Sequence, residues 1–320
     1  MQQFKSTLQK IARYDVIFIF TVMVVLLIVF SVASPFFLTS GNLVNIGIRI
    51  VMILIAAMGA TLVISGGGID MSQGGIAIFT AIVLVVILRY KGVGAAFYAV
   101  PFALFLGAFA GLINGLGITI ININPFIMTI GMMMIARSSG ELVSGDTTLS
   151  APPEFAAFFF TGIAGTIIPY LLIPIVITAA MFILLSKTKF GFRVKGIGSN
   201  SRAAEYCGVR VVRYQIAIYV IMGLLSALVG IMLVARASGA NPAEFTQLPL
   251  QAIAAVIIGG TSFGGGKGTV VGTLIGVVIV GSMENFLNLV RVDYYWQFVV
   301  QGFIVLAAVC LDHAIRRRDI

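Results

Sequence analysis

The chain has 320 residues, of which 60% are hydrophobic and only 10% charged, with a mean hydropathy of +1.11 and a formal net charge of +9. A water-soluble domain needs roughly 25% charged residues to cover its surface, so the solvent for most of these side chains is lipid. The basic residues flank apolar segments and form no stripe with interleaved aromatics, which excludes a nucleic-acid-binding face.

At about 20 residues per crossing, this length accommodates roughly ten spans with short loops and no separate soluble domain. Residues 1–320 therefore read as one transmembrane domain of all-α class. The first apolar run, 16–33, follows Lys5, Lys10 and Arg13 and ends in Val32-Ala33-Ser34, a pattern that resembles a signal peptide. The run is long for a signal core and the next apolar segment follows almost at once, so it is expected to stay as a span. Further spans are expected at 45–64, 72–88, 96–117 and 125–142. After the longest outer loop come 167–186, 214–235, a short 250–263, 269–287 and 296–312.

An even number of spans puts both termini on one side. Fourteen of the 20 basic residues fall on that side, and four, Arg89, Lys91, Arg236 and Arg291, on the other. The positive-inside rule then makes both termini cytoplasmic. Cys207 and Cys310 fall on or near the cytoplasmic side, where thiols stay reduced, so no disulfide is expected.

Glycine, 36 residues in all, is spaced informatively. Gly107, Gly111 and Gly115 stand four apart, the spacing that lets helix backbones approach closely in lipid. Gly260, Gly264, Gly268, Gly272 and Gly276 continue that period, but Gly264, Gly265 and Gly266 are consecutive and break a helix. They mark a sharp or re-entrant turn. The segment from Ser65 to Gly75 has the same character, and Ile64-Ser65-Gly66-Gly67 is echoed by Ile258-Gly259-Gly260-Thr261. Asp70 and Ser72 either cap the helix that follows or belong, with Gly67, Gly259, Gly260 and Gly265, to a cytoplasmic gate. Gly265-Gly266-Lys267-Gly268-Thr269 superficially resembles a phosphate-binding loop, but Gly268 stands where Ser or Thr must reach magnesium, and Ser262 where a glycine is required.

The sizeable cytoplasmic segment, 187–213, carries seven basic residues. Within it, Asn200 or Ser201 reads as the N-cap of a short helix and Gly208 as its stop. So short a helix persists only when packed. It reads as a docking element for a cytoplasmic subunit, carried by Gly198, Asn200, Ala203, Ala204, Glu205 and Gly208; the plainer alternative is a positive-inside loop with an incidental turn. Polar groups inside spans usually face the bundle interior: Asn45, Asn114, Asn122, Asn124, Thr129, Arg137, Glu284, Asn285 and Asn288. Asn114, Asn124, Thr129 and Asn285 are the expected pathway residues. His313 is the only histidine, and no His/Cys/carboxylate set has triad or metal-ligand spacing, so neither a catalytic residue nor a metal site is expected.

Several stretches together resemble the permeases of the monosaccharide (ribose, xylose, galactose) family of bacterial ABC importers. They are Val63 to Ser72, Pro125 to Gly131, Thr188-Lys189-Phe190-Gly191, Ala203-Ala204 to Gly208, Ala252 to Ser262 and Ala307 to Asp312, in order along nearly the whole chain. The resemblance implies a multi-pass protein of the bacterial inner membrane that pairs with a second permease subunit, identical or a close paralogue. It implies a cytoplasmic ATPase subunit that binds ATP–Mg, none being bound by this chain, and a periplasmic solute-binding protein. The 188–208 loop would couple ATPase closure to the gate. Similar permeases carry acidic residues where this chain has Leu248-Pro249-Leu250-Gln251, and an aliphatic residue at Gln73; these departures concern the solute, not the fold. Two rival readings are an ion- or proton-coupled secondary transporter using Asp70 or Glu284, and a non-transport membrane scaffold.

Overall fold

In lipid no water satisfies peptide groups, so a crossing chain must close its hydrogen bonds within helices or a barrel. The computed structural model describes residues 2–160, 169–293, 295–303 and 306, with side chains from residue 16 onward. Its helices are α1 Gln2–Ala33, α2 Ser40–Ser65, α3 Gln73–Lys91, α4 Ala96–Thr119, α5 Pro125–Ser144, α6 Pro153–Phe160, α7 Pro169–Lys187, α8 Lys189–Ser199, α9 Ser201–Tyr206, α10 Val211–Ala237, α11 Leu248–Ile258 and α12 Val270–Leu289. Residues 295–303 are helical as well. The sheet among the described residues is a two-residue antiparallel ladder, β1 Leu149–Ser150 with β2 Gly239–Ala240.

Eight of these helices, α1 to α5, α7, α10 and α12, are long and apolar enough to cross a membrane. The expected span at 250–263 is instead α11, which at 11 residues is too short to cross. The expected span at 296–312 is described only as far as 303 and at 306. Its remainder, with Cys310, His313 and the basic tail Arg316 to Arg318, lies outside the described residues. Cys207 is exposed and free.

Helix α2 forms the centre: from Val51 to Ser65 every residue is buried. Around it stand α7, α10, α11 and α12, with α3 packed against α10 and α5, while α1, α4 and α5 turn apolar faces outward, with Phe18, Phe97, Phe105 and Ile127 all exposed. Such faces are stable only against lipid or another protein. The bundle closes by backbone approach. A Cβ at Gly111 would collide with the Tyr219 carbonyl of α10, and one at Gly107 with the Gly223 carbonyl and the Ala227 methyl. On the other side of α2, Gly272 and Gly276 of α12 lie as close to Gly259 and Ala255. Apolar association in lipid carries no hydrophobic driving force, so these contacts gain dispersion through proximity.

Gly111→Val is therefore expected to lower stability by about 1–3 kcal/mol through overpacking. Gly131→Ala, whose added methyl meets nothing within 4 Å, is expected to be neutral or stabilising by up to about 1 kcal/mol. Thermal unfolding of the two purified variants in nanodiscs measures the difference; equal melting would contradict the backbone packing described.

Candidate functional site: a cavity at one end of the bundle and a glycine junction at the other

Helix α8 lies beside the end of α2, and α9 packs on α8 and α10. Thr188 accepts the Gly191 N–H at 3.3 Å and starts α8; Asn200 accepts the Ala203 N–H at 3.0 Å and starts α9. Gly208, at φ +79°, ends that turn. Val194 and Ile197 of α8 and Ala204 of α9 are buried, whereas Ala203 and Glu205 face outward.

At the end of α8, Gly198 meets both glycine-rich turns. A Cβ there would strike the Ser65 carbonyl and lie 2.7 Å from the Gly266 nitrogen. Gly67 and Gly265 both have left-handed backbone, φ +81° and +83°, and each approaches Gly198 in the same way. The Gly266 N–H donates to the Ser65 carbonyl at 3.1 Å, which ties the second turn to the first. Gly259 and Gly260 begin the second turn, with Gly260 at φ +79°. Of the expected docking and gate residues, Gly198, Gly67 and Gly265 meet in one junction of three backbones.

Beyond Gly67 the first turn climbs between helices. Met71 N–H donates to Thr129 Oγ1 of α5 at 3.1 Å, and Tyr219 Oη of α10 donates to the Ile69 carbonyl at 3.3 Å. Ser72 donates through its N–H (2.7 Å) and its hydroxyl to Asp70 Oδ1, and Asn114 Nδ2 of α4 donates to Ser72 Oγ at 2.9 Å. Burial pushes the Asp70 carboxyl up to about 6, against the two hydrogen bonds from Ser72, which lower it.

The other end of the bundle holds a cavity of about 400 Å³. Sixteen residues separate Ser65 from Arg49, which lines it, so on a straight α2 the two features lie about 24 Å apart. After β2, residues 241–247 fold back into the bundle, where the Phe245 carbonyl and Pro249 pack against Gly74. Arg137 of α5 holds this segment, donating to the Pro242 carbonyl at 2.8 Å and to Glu141 at 3.1 Å. The cavity walls carry Arg49, Arg236, Glu244 and Glu284, with Asn241, Gln247, Gln251, Gln297 and Gln301 between them. Arg49 and Glu284 stand 4.0 Å apart, and Gln251 donates to Glu284 at 3.4 Å. Its polar groups donate and accept in roughly equal measure.

The four expected pathway residues lie elsewhere. Asn114 and Thr129 brace the first turn, and Asn124 accepts the Phe126 N–H as N-cap of α5. Asn285 pairs with Asn42 through two 3.0 Å hydrogen bonds and joins α12 to α2. Of the wider polar set, Glu284 alone lines the cavity. Its other polar walls come from Arg49 of α2, from segment 236–251 and from 297 and 301, the latter two regions being ones where polarity reads as loop or helix end and hydropathy gives no reason to single out a residue.

Eight long apolar helices, with a partly polar cavity at one end of the bundle and short helices at the other, make the architecture of a multi-pass membrane permease. Residues 42–309 match the family described as the permease component of the branched-chain amino acid transport system, and the chain belongs to that family. It is 38% identical over 316 residues to the ribose import permease protein RbsC of Bacillus subtilis, covering 97% of this chain and 94% of the relative. It is 38% identical to RbsC of Escherichia coli K12, covering 91% of each chain, and 30% identical to the D-allose transport system permease protein AlsC of that organism, covering 93% and 91%. No solved structure matches the chain.

Asn285→Ala is expected to lower thermal stability by about 1–2 kcal/mol, because the Asn42 side-chain oxygen then loses its donor between two helices. Solute import per folded molecule is expected to stay near wild type. Thermal unfolding beside import in reconstituted vesicles checks both; a transport defect at unchanged stability would place Asn285 on the pathway instead.

Proposed function

We propose that the chain is the membrane-spanning permease subunit of an ATP-binding cassette importer for a monosaccharide. The observation that carries this reading is the contact of Gly198 with both glycine turns. An element that pushes on α8 and α9 moves the backbone of both turns with no flexible side chain between to absorb the displacement.

Partners follow from what the chain leaves uncovered. Phe192 and Tyr206 are 81% and 91% exposed on α8 and α9, an apolar surface fit for a cytoplasmic ATPase subunit that carries ATP–Mg. The exposed faces of α1, α4 and α5 suit the bilayer of the bacterial inner membrane and a second permease copy, identical or a close paralogue. A periplasmic solute-binding protein would deliver solute to the cavity, and α8 and α9, within 187–213, would face the cytoplasm with both termini.

The cavity argues for the solute class. Two arginines and two glutamates leave it without a strong preference for one sign of charge, and its amides suit hydroxyl groups. Apolar residues, among them Met52, Ile53, Leu248 and Phe298, alternate with these donors and acceptors, a mixture that suits the hydroxyls and the C–H faces of a sugar. The relatives named for ribose and allose support the same choice.

With the ATPase and binding protein reconstituted, Gly198→Val and deletion of 200–207 are expected to abolish solute-stimulated ATP hydrolysis and import while the protein still inserts. Import driven by an ion gradient with no ATPase present would overturn the reading. Arg236→Ala and Glu284→Ala are each expected to reduce import about tenfold, equivalent to ~1.4 kcal/mol, with basal ATP hydrolysis retained. Uptake of labelled ribose, with leucine as the competing solute, reads both the loss and the solute class.

A further inference from the structure

The first turn holds an excess of acceptors. Among the described residues, four buried side-chain atoms have no hydrogen-bond partner, and three of them are Asp70 Oδ2, Gln73 Oε1 and Asn114 Oδ1. Asp70 is 3% exposed, and Gln73 and Asn114 are fully buried. The three side chains form one connected group. Asn114 Nδ2 donates to Ser72 Oγ at 2.9 Å, Ser72 donates to Asp70 Oδ1, and Gln73 Nε2 donates to the Asp70 carbonyl at 3.2 Å. Covalent geometry keeps each orphan oxygen next to an atom of that group. Buried acceptors left unmet are costly.

Neighbouring donors are already committed. Tyr219 Oη donates to the Ile69 carbonyl, Thr129 Oγ1 to the Pro125 carbonyl at 2.8 Å, and the Ser72 hydroxyl to Asp70. Charge is unmet as well. The ion pairs among the described residues are Arg49–Glu284 and Arg137–Glu141, and Asp70 belongs to neither. Helix α4 contains no charged residue, and the basic residues of α3, Arg89 and Lys91, sit in its last turn, far from Asp70.

We propose that Asp70, Gln73 and Asn114, with Ser72 Oγ beside them, bind a monovalent metal cation. Carboxylate and amide oxygens are hard ligands, suited to hard cations. With one carboxylate in the set, a monovalent ion makes a neutral site, whereas a divalent ion leaves a buried net charge. No group of three His, Cys, Asp or Glu residues able to hold a metal occurs among the described residues, so the set is not one for a transition metal. The bound ion ties α4 to the start of α3 through the turn and stiffens the segment that begins at Gly67. This site is independent of which solute crosses.

The test is thermal unfolding of the full chain in nanodiscs, titrated with sodium or potassium chloride against choline chloride at matched ionic strength. A saturable rise of several degrees with sodium or potassium, absent with choline, is expected. Asp70→Asn supplies a donor in place of the charge and is expected to abolish the cation-dependent rise; a folded D70N protein with an undiminished rise overturns the assignment. Where D70N does not fold, equilibrium binding of radioactive sodium and of a radioactive potassium analogue to the wild-type chain decides, with about one choline-resistant ion per chain expected. No saturable binding of either, or stabilisation that follows pH alone, means that water or a proton serves Asp70 and overturns the proposal.

Discussion

There is no room for a methyl group at Gly198. Three backbones, the end of α8 and the two glycine-rich turns, meet there without side chains between them, and the Gly266 N–H to Ser65 carbonyl bond locks two of them together. Side-chain contacts yield by changing rotamer, but backbone contacts transmit displacement because bond geometry and hydrogen bonding leave them few alternatives. The same device recurs through the bundle, where α4 meets α10 and α11 meets α12 across glycine. A fold held by dispersion at short range has this requirement: its helices must be smooth where they touch.

The polar residues divide along the same axis. At the junction end they brace: Asp70, Ser72, Asn114 and Thr129 tie the first turn to α3, α4 and α5, while Asp70 Oδ2 and Asn114 Oδ1 stay unmet. At the start of α2, beyond Arg49, Asn42 and Asn285 tie α2 to α12. At the other end Arg49, Arg236 and Glu284 line the cavity. Polarity inside the membrane is expensive wherever it occurs, and here it sorts into braces between helices and the lining of a cavity.

Much of the fold was legible because its signal is local. The expected span 125–142 is α5, Pro125–Ser144, since Asn124 and Pro125 mark the start chemically. Asn200 and Gly208 likewise bound α9 where capping chemistry puts them. The candidate site was less legible, because its partners are remote in sequence. Asn114 bonds Ser72, 42 residues away, and Asn285 bonds Asn42, 243 residues away. Polarity within a span reads equally as pathway or tie until the partner is known. Gln251 is a departure from similar permeases, yet only the packing of α11 on α12 explains why it meets Glu284.

That fold-back has a consequence for the distance a solute must travel through protein. Helix α11 is 11 residues long, about 16 Å at 1.5 Å per residue, against a hydrocarbon core of about 30 Å. The cavity lies at the start of α11, lined by Leu248 and Gln251; in the transport reading proposed above, water filling it would reach roughly to the midplane. Dehydration and re-hydration of a solute are then confined to half the membrane, and any voltage across the bilayer drops over that same shortened column. A conformational change of a few ångströms at the glycine turns is large relative to such a barrier, though small relative to the whole membrane.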